Sequence, residues 1–378
     1  SSGVFPQRAP RGFDFDGDGL EDFAVSAPGN GDLPSSGRYA STEVSRECPD
    51  GSGGTTICVG TCCAPAGGCS DPCDGCCDVD GTCLGQAAQS DAQCGDRGAP
   101  GVDCHACDPA DGCAEGACFR RGEVFVFRGG GAEDPIRFRN GSRGLAIPPQ
   151  AEFGRGMTWG DFDGDGADDL VVSSGGANSL YVLTHDGGHD RAYLSTEIHA
   201  SIYLGVGDFD GDEIDDAVVG GVRHGAVIIP GVSGEGLDLS LAQTGFFGGN
   251  PMAGDFNCDG REDLALGRFW AAADAEAKSV GVVIVYYAGP GGLDLTAGAP
   301  YQGITQYEVT GQPGAAGDGF GQTLAAGNFN GDVEPTSGHP CVDLAVASVG
   351  AGAGEVYVIP GGPSGLDPST AQTFWTGL

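Results

Sequence analysis

The chain has 378 residues, with 53 Asp and Glu against 17 Lys and Arg and a formal charge of −36. A surface that acidic repels phosphate groups, which argues against nucleic acid or an anionic membrane as partner and favours a protein that binds cations. The 72 glycines and 22 prolines, clustered between short apolar runs, punctuate strands and turns rather than helices.

The opening residues, SSGVFPQRAP, carry neither the basic nor the apolar region of a leader and no initiator Met. A signal peptide already removed and a chain cut by design both fit. No stretch of 18 apolar residues follows, so no membrane span is expected. At Asp14 an acidic nonapeptide, DFDGDGLED, runs into the apolar stretch DFAVSAP. The next apolar run, GEVFVFRGG, comes only after a stretch rich in cysteine. Of 16 cysteines, 14 lie between Cys48 and Cys118, including the adjacent pairs Cys62-Cys63 and Cys76-Cys77 and the CHAC of Cys104 to Cys107. A zinc ribbon needs two well-separated CxxC units; adjacent pairs in an acidic setting favour disulfides instead. An oxidising compartment follows, so the protein is expected to be secreted, extracellular or at a cell surface. With few large apolar residues, residues 40–120 are expected to form a separate module held by seven bridges, inserted between residues 1–39 and 121–378 of the main fold.

The nonapeptide recurs at Asp161, Asp208 and Asp255, with starts 47 residues apart. A looser fifth copy, NFNGDVEPTSGHPCVDL, begins at Asn328. A segment of small and apolar residues precedes each copy. An apolar run, a second run of period two and a weaker closing run follow it. Four strands of about six residues and their turns fill roughly 45–50 residues, the length of one β-propeller blade.

Five carboxylates crowd Asp161 to Asp169 and would repel one another without a cation between them. Calcium takes six to eight oxygens in a flexible shell, whereas magnesium demands octahedral geometry and keeps its waters. Positions 1, 3 and 5 can offer side-chain oxygens, position 7 a backbone carbonyl and position 9 a closing carboxylate. The expected ligands are therefore Asp14, Asp16, Asp18, Leu20 and Asp22 in the first copy, and Asp161, Asp163, Asp165, Ala167 and Asp169 in the second. The third offers Asp208, Asp210, Asp212, Ile214 and Asp216, and the fourth Asp255, Asn257, Asp259, Arg261 and Asp263. The fifth retains Asn328, Asn330, Asp332 and, beyond an insertion, Asp343. Glycine at position 6 supplies a left-handed turn, except at Glu213. An EF-hand would need a bidentate Glu at position 12, where this chain has Val25, Val172, Val219 and Leu266.

The pairs Phe153-Gly154, Phe247-Gly248 and Phe320-Gly321, the acidic loop and the strand end VSAPG (Val25 to Gly29) together resemble the FG-GAP repeats of integrin α-subunit propellers and of bacterial secreted proteins. The resemblance implies an all-β propeller of four-stranded blades, whose acidic loop joins the first two strands and binds one calcium, about five ions in all. It places the first strand nearest the axis and ligand recognition on the opposite face, in loops joining the second and third strands. Integrin propellers have seven blades and this chain has five repeats. The chain starts in a first strand and ends after a fourth, which favours a five-bladed ring over part of a seven-bladed one. On that layout the cysteine-rich segment projects from the recognition face. Cys258, in the fourth acidic loop, and Cys341, in the insertion of the fifth, fall on one face of neighbouring blades. They are expected to form a disulfide, against the alternatives of two separate thiols or links to the distant insert.

No G-x-S-x-G occurs, and the paired carboxylates already serve as ligands. The cluster HDGGHD, His185 to Asp190, reads as a hairpin turn rather than a transition-metal site. The expected function is non-enzymatic: a secreted calcium-binding propeller serving as a structural, adhesive or self-assembling module. Its partner would be an unknown protein or glycan, or further copies in a calcium-dependent oligomer or filament. The alternative is the propeller part of a secreted lectin or hydrolase.

Overall fold

Among the described residues, the apolar run after each of the five acidic loops pairs into an antiparallel sheet of its own, as the second strand after the second to fifth loops. The computed structural model describes residues 13–27, 122–130, 134–142, 145–148, 152–174, 179–184, 191–194, 203–221, 225–245, 247–271, 280–296, 298–315, 317–350 and 354–375, with the backbone of eight short strands between residues 46 and 120. The first sheet holds Phe23–Ala27, Glu123–Phe127 and Ile136–Phe138. The second holds Phe153–Gly160, Asp169–Ser174, Ser179–Leu183 and Arg191–Leu194; the third Tyr203–Gly207, Asp216–Gly220, Val227–Ile229 and Gln243–Thr244. The fourth comprises Asn250–Gly254, Asp263–Gly267, Val283–Tyr286 and Gln302–Ile304; the fifth Thr323–Gly327, Asp343–Ser348, Glu355–Ile359 and Gln372–Trp375. Each sheet follows chain order, so every strand pairs with the one before it. Four strands per sheet were expected; among the described residues the first sheet has three.

The cysteine-rich segment lies between paired neighbours, since Phe23 opposes Phe127 and Ala27 opposes Glu123 across it. Its eight short strands pair two by two into four small sheets. Its seven expected bridges, like the cluster from His185 to Asp190, lie outside the described side chains.

The cores lie between sheets rather than within them. Val124, Val126 and Phe138 of the first sheet share a cluster with Leu170, Val172, Tyr181 and Leu183 of the second. The opposite face of the second sheet, with Val171, Leu180 and Val182, meets Ala217, Val219, Val227 and Ile229 of the third. The pattern repeats between the third and fourth sheets and between the fourth and fifth. This is why the second strands DLVVSS, DAVVG and DLALG are buried at every residue: both faces meet a neighbour. Successive first strands of the second to fifth sheets also touch, as strands do where sheets fan out from a shared edge.

The aromatic residue at position 2 of the loop plugs each junction. Phe15, Phe162, Phe209 and Phe256 are buried, each in the cluster shared with the following sheet. Burial of one such ring is worth about 2–3 kcal/mol. The FG pairs serve the same junctions. Phe153 and Phe320 are buried, and Gly154 and Gly321 adopt left-handed φ values of 90° and 88°. A Cβ on Gly154 would sit 2.8 Å from the Ser26 Cβ of the preceding sheet, so only glycine fits that approach. The one described α-helix, Gln306–Thr310, opens on a capping box between Thr305 and Glu308. No described helix is long and apolar enough to cross a membrane.

Candidate metal centre

The second to fifth acidic loops each join the first strand of their sheet to the second, and the first loop leads into Phe23–Ala27. Within the first four loops, the side chains at positions 1, 3 and 5 accept hydrogen bonds from the loop's own backbone, with both oxygens of Asp161, Asp208 and Asp255 so engaged. At position 1, Asp14, Asp161, Asp208 and Asp255 accept the amide of position 6, at 2.8–3.1 Å. Asp16, Asp163, Asp210 and Asn257 at position 3 accept from position 5, and Asp18, Asp165, Asp212 and Asp259 from position 7. These are Asx turns, which is why the short Asp or Asn side chain recurs. They also bring carboxylates together: Asp14, Asp16 and Asp18, then Asp161, Asp163 and Asp165, then Asp208, Asp210 and Asp216, each set with ligand-type oxygens within 4.8 Å of one another.

Two of those loops hold buried oxygens with no hydrogen-bond partner, Asp14 Oδ1 and Asp169 Oδ2. Buried carboxylate oxygens are ordinarily paired, so such an orphan among like charges suits a cation. The donors are all oxygens, which fits a hard divalent ion such as calcium and not a thiophilic metal.

The left-handed turn expected at position 6 occurs at Gly19, Gly166 and Gly260, with φ of 83°, 94° and 86°. Glu213 occupies it in the third loop with φ 72°. Position 4 is left-handed as well, at Gly17, Gly164, Gly211, Cys258 and Gly331, a requirement not read from the sequence. Holding a Cβ in that region costs energy that glycine avoids. Replacing Glu213 with Gly is therefore expected to stabilise the protein by about 1 kcal/mol, seen as a higher urea midpoint at constant m-value.

Position 9 does a second job. In four loops its Oδ2 accepts the amide of position 2, from Phe15 to Asp22, Phe209 to Asp216, Phe256 to Asp263 and Phe329 to Asp343, at 2.8–3.0 Å, whereas in the second loop Asp169 Oδ2 is the orphaned oxygen. In the same four loops its Oδ1 accepts an amide following the third strand, from Gly129, Gly231, Ala288 and Gly361 respectively. The expected closing ligand is thus also a clamp between the loop and its own sheet.

Position 8 was overlooked in the sequence, although its acidic character stands there in plain view. Asp168, Asp215 and Glu262 accept the amides of Asp14, Asp161 and Asp208 from the preceding loop, at 2.8, 2.9 and 3.0 Å. Asp168 and Asp215 return a backbone amide to the carbonyls of Asp14 and Asp161. At the fourth junction position 8 is Val342, which keeps the backbone bond to Asp255 but has no carboxylate. There the disulfide between Cys258 and Cys341 ties the two loops together, with Cα atoms 4.7 Å apart.

The fifth loop is built differently. Its insertion folds as a small hairpin with Val333 bridged to Pro340, and it returns Asp343 to the position-9 place. Asn328 Nδ2 donates to the Asp332 carbonyl and Asn330 Nδ2 to Asp332 Oδ2, so amide N–H groups stand at positions 1 and 3, where the first three loops carry only carboxylates.

Residues 161–219, which contain the second and third loops, match a family model described as an FG-GAP-like repeat. This segment is thus similar to an FG-GAP-like repeat. No curated protein matches the chain. Among solved structures, the chain is similar to a crystal structure of BBS1N in complex with ARL6DN, at 12% identity and a TM-score of 0.37, with 68% of this chain and 61% of that one covered. It is also similar to the V. cholerae biofilm matrix protein Bap1, at 17% identity and a TM-score of 0.26, with 55% of this chain and 38% of that one covered. The chain thus spans less than two thirds of either structure.

Within residues 161–219, burial pushes the Asp169 carboxyl up to about 8, helped by the charges of Asp163, Asp165, Asp161 and Asp168. Burial likewise raises Asp216 to about 7, against the lowering effect of its two backbone amides. Asp263 of the fourth loop reaches about 8 for the same main reason. In metal-free protein these groups favour the proton.

Proposed function

We propose that the chain is an extracellular calcium-stiffened β-propeller module that acts structurally or adhesively rather than catalytically. The observation that carries this reading is the pair of orphaned buried oxygens, Asp14 Oδ1 and Asp169 Oδ2, in loops whose carboxylates crowd within 4.8 Å. Calcium would be held by Asp14, Asp16 and Asp18, by Asp161, Asp163, Asp165 and Asp169, and by Asp208, Asp210 and Asp216. The fourth loop, with Asp255, Asn257 and Asp259, keeps the same hydrogen-bond pattern and joins them. The fifth is closed by its own amides and is left out of the proposal, which makes four ions rather than five. A bound ion would cancel the repulsion within each loop and brace the clamps and staples that radiate from it. Non-enzymatic function is supported by the tasks already assigned to these carboxylates, which are loop turns, sheet clamps and junction staples. Secretion is supported by the cysteine usage of the sequence.

The pH dependence of stability tests this. Asp169, Asp216 and Asp263 hold protons in the folded, metal-free state well above the range in which the unfolded chain releases them. The folded state then binds more protons than the unfolded one from about pH 4 to about pH 8, so stability falls as pH rises through that window. In chelator the melting temperature is expected to drop by more than ~5 °C between pH 5 and pH 8. In excess calcium, which replaces the protons, that fall is expected to vanish. A fall of equal size in calcium and in chelator would contradict calcium occupancy.

A further inference from the structure

Among the described residues four core clusters join the five sheets and none joins the fifth to the first, so the five-bladed ring expected from the sequence is not closed there and the outer faces of the first and fifth sheets lie open. On the first sheet, Phe23 and Val25 are 58% and 48% exposed. They stand opposite Phe127 and Phe125 on one face, with Phe23 and Phe127 stacked at 4.6 Å. The equivalent residues of the second sheet, Leu170, Val172, Leu183 and Tyr181, are buried against the first. On the fifth sheet, Phe329 holds position 2 of the loop and is 55% exposed, whereas Phe15, Phe162, Phe209 and Phe256 are all buried by a following sheet. Beside it, Ala345, Ala347, Val356 and Val358 are only partly buried, while their fourth-sheet counterparts Ala265, Val283 and Val285 are fully so. Burial in the second strands says the same: complete in the second to fourth sheets, alternating in the fifth.

One uncovered face is a junction's front and the other its back. The four inner junctions state what such faces take: another sheet of the same repeat with its position-2 aromatic inserted and, at three of the four, its position-1 amide received by the acid at position 8. Glu21 is that acid on the first sheet, and it is exposed. Because front and back differ, a contact between them is heterologous and extends from copy to copy.

We propose that the fifth sheet of one chain docks on the first sheet of a second copy, continuing the inner junctions head to tail: Phe329 enters the face of Phe23, Val25, Phe125 and Phe127, and Glu21 receives the Asn328 amide. This contact uses position 8 of the first loop and positions 1 and 2 of the fifth, but none of the carboxylates assigned to calcium, and it does not rest on the calcium reading. The chain's charge of −36 opposes it at low salt, so ionic strength is expected to strengthen it.

The test is sedimentation of the full chain at high and low salt, in calcium and in EDTA, with melting curves to verify folding. Wild-type protein is expected to gain mass with concentration beyond a dimer, more so in salt. Phe23→Asp and Phe329→Asp, each alone, are expected to be monomeric, and the two mixed are expected to form a 1:1 dimer that grows no further, because each keeps one intact face. Tyr307→Asp, at an exposed site away from both faces, is expected to associate like wild type. Folded wild-type protein that stays monomeric under every condition would overturn the proposal. So would a dimer that persists in either single variant, since that contact would be two-fold rather than head to tail. Association lost in EDTA by a still-folded chain would also overturn it, in favour of ion bridging.

Discussion

Stripping divalent cations with EDTA is expected to lower the melting temperature by about 10 °C or more at neutral pH. The size follows from the number of loops. Each occupied site binds the folded state alone, and at a calcium concentration a hundredfold above its dissociation constant it contributes about 2.7 kcal/mol. Several such loops act on one cooperative array, because each is tied to the next through position 8 or the disulfide. Removing the ions also leaves carboxylate oxygens within 4.8 Å of one another without a counter-charge. Differential scanning calorimetry in calcium, in EDTA and after calcium is restored checks the effect and its reversibility.

Replacing Asp263 with Ala is expected to cost about 3–5 kcal/mol, and to cost most of it even in EDTA. The carboxyl is fully buried and accepts the amides of Phe256 at 3.0 Å and Ala288 at 2.8 Å. Alanine leaves both donors without an acceptor, beside the Phe256 ring that plugs the last junction. A residue that served calcium alone would lose its effect once the metal was removed, so the double comparison separates clamp from ligand. Urea unfolding of the two proteins, each with and without calcium, gives the four midpoints required.

Much of this was legible because the repeat announces itself. The recurring acidic motif located the loops, and the apolar runs after the second, third and fourth became second strands at the expected residues. The pairing of Cys258 with Cys341 followed once neighbouring loops were placed on one face. Other features had weaker signals. Gln243–Thr244 is a two-residue strand of exposed polar side chains, with no alternation to detect. The helix Gln306–Thr310 was marked only by its T-x-x-E capping box. The position-8 staples join different repeats, so their acidic residues look like further loop charge until the neighbour is present. The phenylalanine at position 2 likewise reads as part of its own loop, although its ring belongs to the next sheet's core. Phe329 shows the consequence: the same letter at the same position is buried or exposed according to whether a sheet follows.

The most direct measurement of the central claim is calcium stoichiometry. Chelator-stripped protein, dialysed to equilibrium against calcium near neutral pH, is expected to retain about four ions per chain, from the four regular loops. A variant carrying Asp161→Asn, Asp163→Asn and Asp165→Asn is expected to retain one fewer while staying folded in calcium. Wild-type protein that retains no calcium, or a variant that retains as much as wild type, would contradict the assignment of the ion to these loops.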